Sequence, residues 1–480
     1  MIPFCGQTRR MFLASSARLS LIPVALLAGL AVLQVSCEAL KGPQAVDSKP
    51  LDLPAAFAKA ESGQNKKISI GWLREFRDPR MTKLVNEALA NNQGLKAAAF
   101  RLRAAEEGTI IGRATRLPSL NASTSYRQSD GEAVSFSESY NLSLNAAWEP
   151  DLWGRLRNLD YATRADYSAS VSDFRGARLS LAANTAQAWC NLVTAEQQLS
   201  LAKTNVDSFA TALGVVERRY RANTLRAVDV QFARNNVANS RRSLSVRQLD
   251  RDNAARNLEV LLGRYPAASI ASASELPYLA ESIPVGLPSG LLERRPDLQA
   301  SRARLYASAQ VAEAARKNLL PNIRLTSGAA SGDPAFRQVF DPNFLIFSVA
   351  ASLTQTIYQG GALSARARAA LDQNRAAIED YVSLALLAFR EVESAIETDR
   401  SLAEQERFLR QEVKQSQLAV KRALSDISLG IDGASFLEYL EAQRRAETAG
   451  ISLIRLKNQR LQNRIDLHLA LGGDYQTEGK

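Results

Sequence analysis

Two long stretches of this 480-residue chain contain no proline, and this constrains the fold more than any other feature of the sequence. One runs from Pro150 to Pro266 and the other from Pro342 to the C-terminus. Because proline breaks the interior of a helix, both stretches can hold very long helices. The apolar residues in them recur every three to four positions, which is the spacing of one face of a helix.

The proline pattern also predicts an internal duplication. A shorter proline-free run precedes each long one, from Pro79 to Pro118 and from Pro296 to Pro321. Short sequence echoes support two copies of one unit: RLPSLNAST (116–124) resembles LLPNIRLTS (319–327), and LEVLLG (258–263) resembles LHLALG (467–472). We therefore predict two repeats of helix, strand, strand, long helix and helix.

The bounds of the helices follow from the breaks. Nothing interrupts the helical pattern from Arg155 to Tyr220, which corresponds to roughly 100 Å of helix. Turn signals follow at Arg221–Thr224 and at Gly430–Gly433. Helices that return from these turns are expected at about 225–262 and 434–471, and short helices at about 80–115 and 293–318.

Two pairs of strands are predicted between the short and the long helices, at about 119–128 and 139–148 and at about 322–331 and 344–354. Apolar and polar residues alternate in them, and about ten tilted residues span the ~25 Å apolar band of a membrane barrel. A soluble hairpin packed on a protein core is the alternative. Four strands cannot close a pore in lipid, so a barrel requires several subunits. One strand carries on its apolar face Tyr140, Leu142, Leu144, Ala146 and Trp148, and we assign Tyr140 and Trp148 to the lipid interface.

The N-terminus has the pattern of an export signal. Residues 1–36 combine a basic start with an apolar run, and Pro23 disfavours a transmembrane helix there. Cys37 follows small residues and resembles the lipidated cysteine of a bacterial lipoprotein, although Gln34 stands where an aliphatic residue is expected. Glu38 is not the aspartate typical of inner-membrane retention, which favours the outer membrane.

Composition argues against several classes of function. The net charge is +11, but the basic residues are scattered, so we predict no nucleic-acid binding. One histidine, His468, and three cysteines form no zinc-like cluster, and no metal or cofactor is expected. No nucleophile–base grouping or phosphate loop is visible, which makes an enzyme the least favoured class.

Several segments resemble the TolC-type outer-membrane factors, and specifically their lipoprotein branch that partners resistance-nodulation-division pumps. The resemblance covers nearly all of the mature chain. The matching segments, in order, are Trp72 to Pro79, WEPDLWGRLR (148–157), LLERRPDLQASRARLYASAQ (291–310), IYQGG (357–361), FLEYLEAQRR (436–445) and ALGG (470–473).

This resemblance implies a homotrimer with a 12-stranded outer-membrane barrel and a 12-helix periplasmic tunnel. A lipid-anchored N-terminal segment (37–78) and a linker (264–292) would form a collar around the tunnel. The first repeat would cover 79–263 and the second 293–473, with a tail at 474–480. The implied partners are outer-membrane lipid, a periplasmic adaptor protein and an inner-membrane resistance-nodulation-division pump.

The resemblance also implies a gate at the periplasmic tip. Glu438 and Glu441 match acidic residues that ring the closed pore of the family, Leu437 matches an apolar constriction, and Asp229 is the counterpart of Glu438 in the first repeat. The alternative is a solvated helix face on which Glu441 pairs with Arg444 or Arg445. The family usually has a tyrosine where this chain has Ile427, and a glycine in place of Asn223.

The function expected on these grounds is that of a passive exit duct for drugs or other small solutes. Two alternatives remain at this point. One is the exit duct of a type I protein secretion system, which has the same fold and a different inner-membrane partner. The other is a soluble periplasmic coiled-coil scaffold or adhesin, which would need no detergent.

Overall fold

The computed structural model describes residues 57–58, 71–131, 134–279, 288–333, 341–429, 431 and 435–473. The predicted signal peptide, Cys37 and the tail at 474–480 lie outside these residues. Within them, the same six elements occur twice. The first set is α1 (Pro79–Asn91), α2 (Gln93–Ala114), β1 (Ser119–Gly131), β2 (Val134–Trp148), α3 (Arg155–Arg221) and α4 (Ala227–Leu261). The second is α5 (Pro288–Arg294), α6 (Pro296–Lys317), β3 (Asn322–Asp333), β4 (Ile346–Thr354), α7 (Ala362–Leu429) and α8 (Phe436–Ala470).

The two long helices begin and end at residues that suit helix termini. Gly154 and Gly361 precede α3 and α7 and both have positive φ, a conformation that glycine adopts without strain. Asp151 accepts the backbone N–H groups of Leu156 and Arg157 and so caps the first turn of α3. Among the described residues, no helix combines the length and the apolar character needed to cross a bilayer.

The short helices differ from the expected unbroken runs. Each is interrupted by one residue, Asn92 in the first copy and Arg295 in the second. In both copies this residue reaches the end of a returning helix. The Asn92 side chain donates to the carbonyl of Leu261 (2.9 Å), and Arg295 donates to the carbonyl of Ala470 (3.2 Å). These hydrogen bonds satisfy helix-end carbonyls that would otherwise lack a partner.

A glycine with positive φ completes each of these joints. Gly263 follows α4 and lies against the backbone of Asn91, and Gly472 follows α8 and lies against the backbone of Arg294 and Arg295. A Cβ atom at either position would approach main-chain atoms to about 3.0 Å or less. Glycine is therefore needed for two reasons, the backbone angle and the close approach.

The four strands form one antiparallel sheet in the order β1-β2-β3-β4. Pairs such as Ser123↔Ser143, Leu144↔Ala329 and Leu325↔Ala351 define the three registers. Because side chains alternate along each strand, these pairs give the sheet one apolar and one polar face. The outer edges of β1 and β4 have no paired strand in the described chain.

The chain divides into two compact units, each of which has its own internal contacts. The first contains the sheet and the adjoining helix ends, within 107–166 and 305–378. Its Asp160 side chain is buried and accepts hydrogen bonds from Arg116 (3.0 Å) and Arg164 (2.9 Å). Burial raises the pKa of Asp160, but these two guanidinium groups outweigh it and the net pKa lies below the ordinary value.

The second unit contains the remaining helical segments and the described part of the linker. One of its apolar clusters is centred on Trp72, Phe76, Trp189, Leu258 and Leu262. His468 is fully buried beside this cluster, where its ring stacks on Trp72 (centroids 5.5 Å apart) and its Nε2 lies 3.1 Å from Glu75 Oε2. The chain's one histidine thus holds the N-terminal segment against α8.

Glu259 performs the corresponding task for the linker. Its carboxylate is buried and accepts the backbone N–H groups of Ala268 (2.7 Å), Ser269 (2.7 Å) and Ile270 (3.2 Å). Burial alone would raise the pKa of Glu259, but these hydrogen bonds outweigh it and the net pKa is lowered. Arg251 donates to the carbonyls of Ala268 and Ile270 and anchors the same turn of the linker.

The joint at the end of α8 predicts a large cost for Gly472→Ala. The left-handed angle alone costs about 1–2 kcal/mol for a residue with a Cβ, and the contact with Arg294 and Arg295 adds to it. We expect a lower midpoint of thermal unfolding, measured by circular dichroism in detergent. Gly108→Ala is the matched control, because Gly108 lies in α2 with open space around its Cβ position and should gain about 0.5–1 kcal/mol. Equal midpoints for the two variants would contradict this prediction.

The linker turn predicts a pH-dependent stability. A carboxyl group whose pKa is lowered by folding stabilises the protein above its unfolded pKa, here 4.5, and this contribution is lost as the pH falls through the lower folded pKa. Glu259→Gln should therefore lower the unfolding midpoint at pH 7, and the gap to the wild type should shrink below pH 4.5. Glu404→Gln, on an exposed side chain of α7, should show no such gap. A gap that stays constant with pH would rule out the ionised carboxylate as the cause.

Candidate functional site

The residues proposed for function belong to two parts of the chain, the sheet and the turns that follow the long helices. The apolar face of the sheet is exposed in the single chain. Its large exposed side chains are those of Leu120, Tyr126, Leu144, Trp148, Phe347, Val349 and Leu353. Val349 is 85% exposed and Phe347 is 76% exposed. An exposed apolar face of this size on a thin sheet marks a surface that is covered by protein or lipid.

Aromatic residues stand at two levels of this face. Tyr140 pairs with Tyr126 across the strands, with ring centroids 4.9 Å apart, and lies six residues inside β2, which begins at Val134 and not near residue 139 as expected. Trp148 is the last residue of β2, where its indole N–H donates to the carbonyl of Arg116 (3.0 Å). Trp153 lies just beyond and donates to the carbonyl of Pro321 (2.6 Å). The ring of each tryptophan remains partly exposed while its N–H is satisfied, which suits a boundary between apolar and wet surroundings.

The polar face of the sheet carries small hydrogen-bonding side chains. The hydroxyls of Ser123 and Ser143 lie 2.8 Å apart, and the Asn145 side chain donates to Ser143 (3.1 Å). Asn145 and Asn141 lie opposite Gly328 and Gly332, where a Cβ would collide with their side-chain oxygens. This face is therefore hydrophilic and nearly uncharged along its middle.

The turns that join α3 to α4 and α7 to α8 are held together by an apolar cluster. Its buried members are Ala212, Val216, Val230, Ala233, Ile427, Phe436 and Tyr439. The Tyr439 hydroxyl is buried without a hydrogen-bond partner in the described chain, and burial raises the pKa of Tyr439 to about 12. A buried hydroxyl without a partner carries a desolvation cost, so Tyr439 makes this junction less stable than its apolar neighbours would allow.

Arg219 is a residue of this junction that the sequence did not reveal. Its guanidinium donates to the carbonyl of Ile427 near the end of α7 and to the hydroxyl of Thr224. It thereby links the first helix turn to the second. Asn223 stands in the left-handed conformation (φ 55) in the same turn, which an asparagine tolerates better than most residues and which explains how it replaces the glycine of the family.

Asp229 lies at the start of α4, but its carboxylate is used within the protein. It is only 7% exposed and accepts the backbone N–H of Arg226 (3.2 Å), so it satisfies a donor at the helix start. The residue at the N-cap is Arg226, whose side chain has no hydrogen-bond acceptor and whose carbonyl accepts the N–H of Asp229 (3.1 Å). In α8 the N-cap is Ser435, whose hydroxyl accepts the N–H of Leu437 (3.2 Å).

The two glutamates of α8 have different surroundings. Glu441 accepts hydrogen bonds from Arg444 (2.9 Å) and Arg445 (2.7 Å), and these two bonds lower the pKa of Glu441 to about 2. The pairing considered as an alternative from the sequence is thus present with both arginines. Glu438 is exposed and has no partner among the described residues, and the neighbouring Leu437 is 67% exposed.

No group of three or more His, Cys, Asp or Glu side chains in the described residues could hold a metal ion. Cys190 is buried in α3, and burial raises the pKa of its thiol, so it is a packing residue.

Comparisons with known proteins agree with the geometry. The model of the outer membrane efflux protein family matches residues 84–264 and 287–473. The outer membrane protein OprJ of Pseudomonas aeruginosa is 32% identical over 422 residues, which are 86% of this chain and 88% of the relative. The pyoverdine export outer membrane protein OpmQ of Pseudomonas aeruginosa is 29% identical over 483 residues, 97% of this chain and 98% of the relative.

Solved structures show that the similarity to these proteins includes the fold. The outer-membrane channel OprN has a TM-score of 0.81 at 25% identity and covers 91% of this chain and 99% of its own. The resemblance to TolC-type channels found in the sequence is thereby confirmed, and so is the outer membrane as the location. The chain belongs to the outer membrane efflux protein family.

Proposed function

We propose that this protein is one of three identical subunits of an outer-membrane channel, and that the channel is the passive exit duct of a tripartite efflux system. The observation that carries the proposal is the exposed apolar face of the sheet. A soluble scaffold would cover such a face with its own core, whereas a membrane barrel presents it to lipid. The polar face, with its serine and asparagine side chains, would line the water-filled interior.

The spacing of the aromatic residues supports this placement. Tyr140 and Trp148 are eight residues apart, which is ~26 Å along a strand and ~20 Å across the membrane at a tilt of about 40°. This is somewhat less than the ~25 Å apolar band of a membrane barrel, so both residues would lie within a few ångströms of its boundaries. Three subunits would supply the twelve strands of the barrel and the twelve helices of the periplasmic tunnel.

The signal peptide, the lipid anchor and the collar complete the proposal. Residues 1–36 would be removed as a signal peptide, and Cys37 would carry a lipid such as palmitate. The segment 37–78 and the linker 264–292 would form the collar, with repeats at 79–263 and 293–473 and a tail at 474–480. His468 in α8 contacts Glu75 of the N-terminal segment, and Glu259 in α4 accepts a backbone N–H of the linker. These contacts support a collar that is attached to the returning helices.

The partners would be a periplasmic adaptor protein and an inner-membrane resistance-nodulation-division pump. The duct itself would perform no chemistry, and the pump would select drugs or other small solutes. The printed names of the relatives describe efflux and, for OpmQ, pyoverdine export. This favours an efflux duct over a type I protein secretion duct.

The gate would lie at the helix turns, with Glu438 as its acidic residue and Leu437 as its apolar constriction. Glu441 together with Arg444 and Arg445 carries a net charge of about +1 per subunit, because the one carboxylate is matched by two cations that remain charged at neutral pH. Asp229 would contribute to the same gate indirectly, because its carboxylate stabilises the start of α4. Docking of the adaptor would move these groups apart.

A planar lipid bilayer tests the channel directly. Purified mature protein should run as a trimer in detergent and should produce discrete conductance steps after insertion. The control is the same preparation denatured by boiling before it is added. A protein that stays monomeric in plain buffer and gives no conductance would refute the proposed duct.

The gate predicts two different charge effects in the same bilayer. Glu438→Ala removes an unpaired carboxylate, so the cation-to-anion permeability ratio should fall by roughly twofold or more at low salt, where the Debye length reaches ~30 Å. Glu441→Ala releases two arginines and should favour anions as well. Adding Arg444→Gln and Arg445→Gln to Glu441→Ala takes the net charge of this cluster from about +2 to zero, so the triple variant should be more cation-selective than the wild type, whereas the effect of Glu438→Ala should persist in the presence of Arg444→Gln and Arg445→Gln.

Unchanged conductance and selectivity in Glu438→Ala and Glu441→Ala would remove the gate assignment and leave the duct standing. Glu404→Gln serves as the matched control, since it removes an exposed carboxylate from α7 away from the turns.

A further inference from the structure

The charged residues of the sheet are divided between its two faces by sign. At the paired positions of the polar face, the charged residues are both arginines: Arg127 lies opposite Ser139, and Arg324 lies opposite Ser352. The other paired residues of this face are Ser, Asn, Thr, Gly, Ala or Ile. The polar face therefore carries positive charge and, at these described positions, no carboxylate.

Neither arginine is neutralised within the chain. Arg127 and Arg324 are both exposed, and neither side chain has a hydrogen bond or an ion pair with another described residue. Arg116, which precedes the same sheet, is different, because it is paired with Asp160 (3.0 Å). A free guanidinium can bind a carboxylate or a phosphate through two parallel hydrogen bonds. The two arginines of the polar face are thus available to anions from solution.

The strand registers place these two charges at opposite ends of the polar face. Thr326 is level with Ala147 and, through it, with Ser119. Arg324 lies two residues from this level on the side of the helices, and Arg127 lies eight residues from it on the other side. The ten residues between them correspond to ~33 Å along the strands. An anion on this face would meet a cation at each end and uncharged side chains between.

Arg324 also borders a polar cavity of about 340 Å³ at the helix side of the sheet. The other charged residues that line it are Glu149, Asp151, Arg155 and Lys317. Both carboxylates are engaged: Glu149 is paired with Arg155 (2.7 Å), and Asp151 caps α3. Three cations and two carboxylates give the cavity a net charge of about +1. Its surroundings therefore favour an anion beside the Arg324 side chain.

We propose that the interior of the barrel binds anions and passes them in preference to cations, with Arg324 as its main anion-binding residue. The favoured class of solute then carries a carboxylate, sulfonate or phosphate group. This deepens the proposed function, because it rests on a barrel whose polar face lines the water-filled interior. Three copies would place three Arg324 side chains at one level, and a ring of like charges selects ions of the opposite sign.

A different role for Arg324 would be solvation of the sheet without any effect on permeating ions. Exposed arginines commonly do no more than this. The two roles differ in what a bilayer recording measures, because a guanidinium that only solvates the face can be replaced by a neutral amide without a change in selectivity. An arginine that contacts lipid phosphate would lie on the apolar face, and the pair Arg324↔Ser352 excludes this.

Selectivity in planar bilayers tests the charge of Arg324. The reversal potential in a gradient of KCl gives the chloride-to-potassium permeability ratio of the trimer. Arg324→Gln should lower this ratio by roughly twofold or more at low salt, where the Debye length reaches ~30 Å. Arg324→Glu should lower it further, whereas Arg324→Lys should keep it near the wild-type value. The differences should shrink at 1 M salt, where the Debye length is ~3 Å.

A multivalent anion tests binding as well as charge. Citrate, which carries three carboxylates, should reduce the chloride current of the wild-type channel when it is present on both sides. Arg324→Gln should raise the half-blocking concentration of citrate by on the order of tenfold, because the charge-assisted hydrogen bonds of three guanidinium groups are lost. Arg324→Lys should raise it less, since an ammonium keeps the charge without the bidentate geometry.

Two controls separate this site from other charges. Glu138→Gln changes the charge by one unit on the apolar face of the same sheet, where Glu138 pairs with Gln128 and accepts from the Tyr126 hydroxyl (3.4 Å). This variant should leave the permeability ratio and the citrate block unchanged. The effect of Arg324→Gln should also persist when Glu438→Ala is present, because the two positions belong to different parts of the chain.

The outcomes distinguish the anion preference from the duct. If the wild-type channel conducts but citrate does not block it, or if Arg324→Gln, Arg324→Glu and Arg324→Lys all keep the wild-type permeability ratio, the anion preference is overturned and the duct stands. An equal shift in Glu138→Gln would assign the effect to overall charge and would also overturn it. A wild-type preparation without conductance steps contradicts the duct itself.

Discussion

An unpaired strand edge is the physical constraint on which the rest of this structure depends. Backbone N–H and C=O groups at an edge can bind water in solution, but inside lipid each unpaired group costs several kcal/mol. The sheet of this chain has an apolar exposed face, which suits lipid, and two open edges, which do not. In the proposed barrel, strands from other copies of the chain would pair with these two edges.

Duplication supplies a simple route to such pairing. The two internal repeats share their strand register, their helix breaks and their glycine joints. The two strand pairs of the sheet are therefore built alike. Where the copies differ, the differences have a local purpose. Glu259 and His468 occupy corresponding positions near the ends of α4 and α8, and both are buried. One binds the backbone of the linker and the other binds the N-terminal segment, so one site in the repeat serves two neighbouring segments.

The sequence predicted those features that local patterns determine. Proline spacing located the long helices, and period-two alternation located the strands and their apolar face. The breaks at Asn92 and Arg295 escaped prediction, because they depend on the carbonyls of Leu261 and Ala470, which are distant in the chain. Arg219 was missed for the same reason, since its partner Ile427 lies in the other repeat. The sequence also did not reveal which acidic side chains at the helix turns are paired, because that depends on the contacts of each carboxylate and not on the residue type.

The two acidic residues at the third position of α4 and of α8 are used differently. Asp229 is buried and accepts the backbone N–H of Arg226 (3.2 Å). Glu438, at the same position of α8, is exposed to solvent, and at this helix start the hydroxyl of Ser435 accepts the N–H of Leu437. Glu441 is paired with both Arg444 and Arg445, so this cluster carries a net charge of about +1, whereas the carboxylate of Glu438 has no cation partner among the described residues. In the proposed trimer, a ring of Glu438 carboxylates would act strongly on ions only where the subunits approach each other, because the attraction of a carboxylate for cations is screened within about 8 Å at physiological salt. Its influence on permeating ions would therefore depend on the diameter of the opening, so the proposed gate would couple ion selectivity to opening and closing.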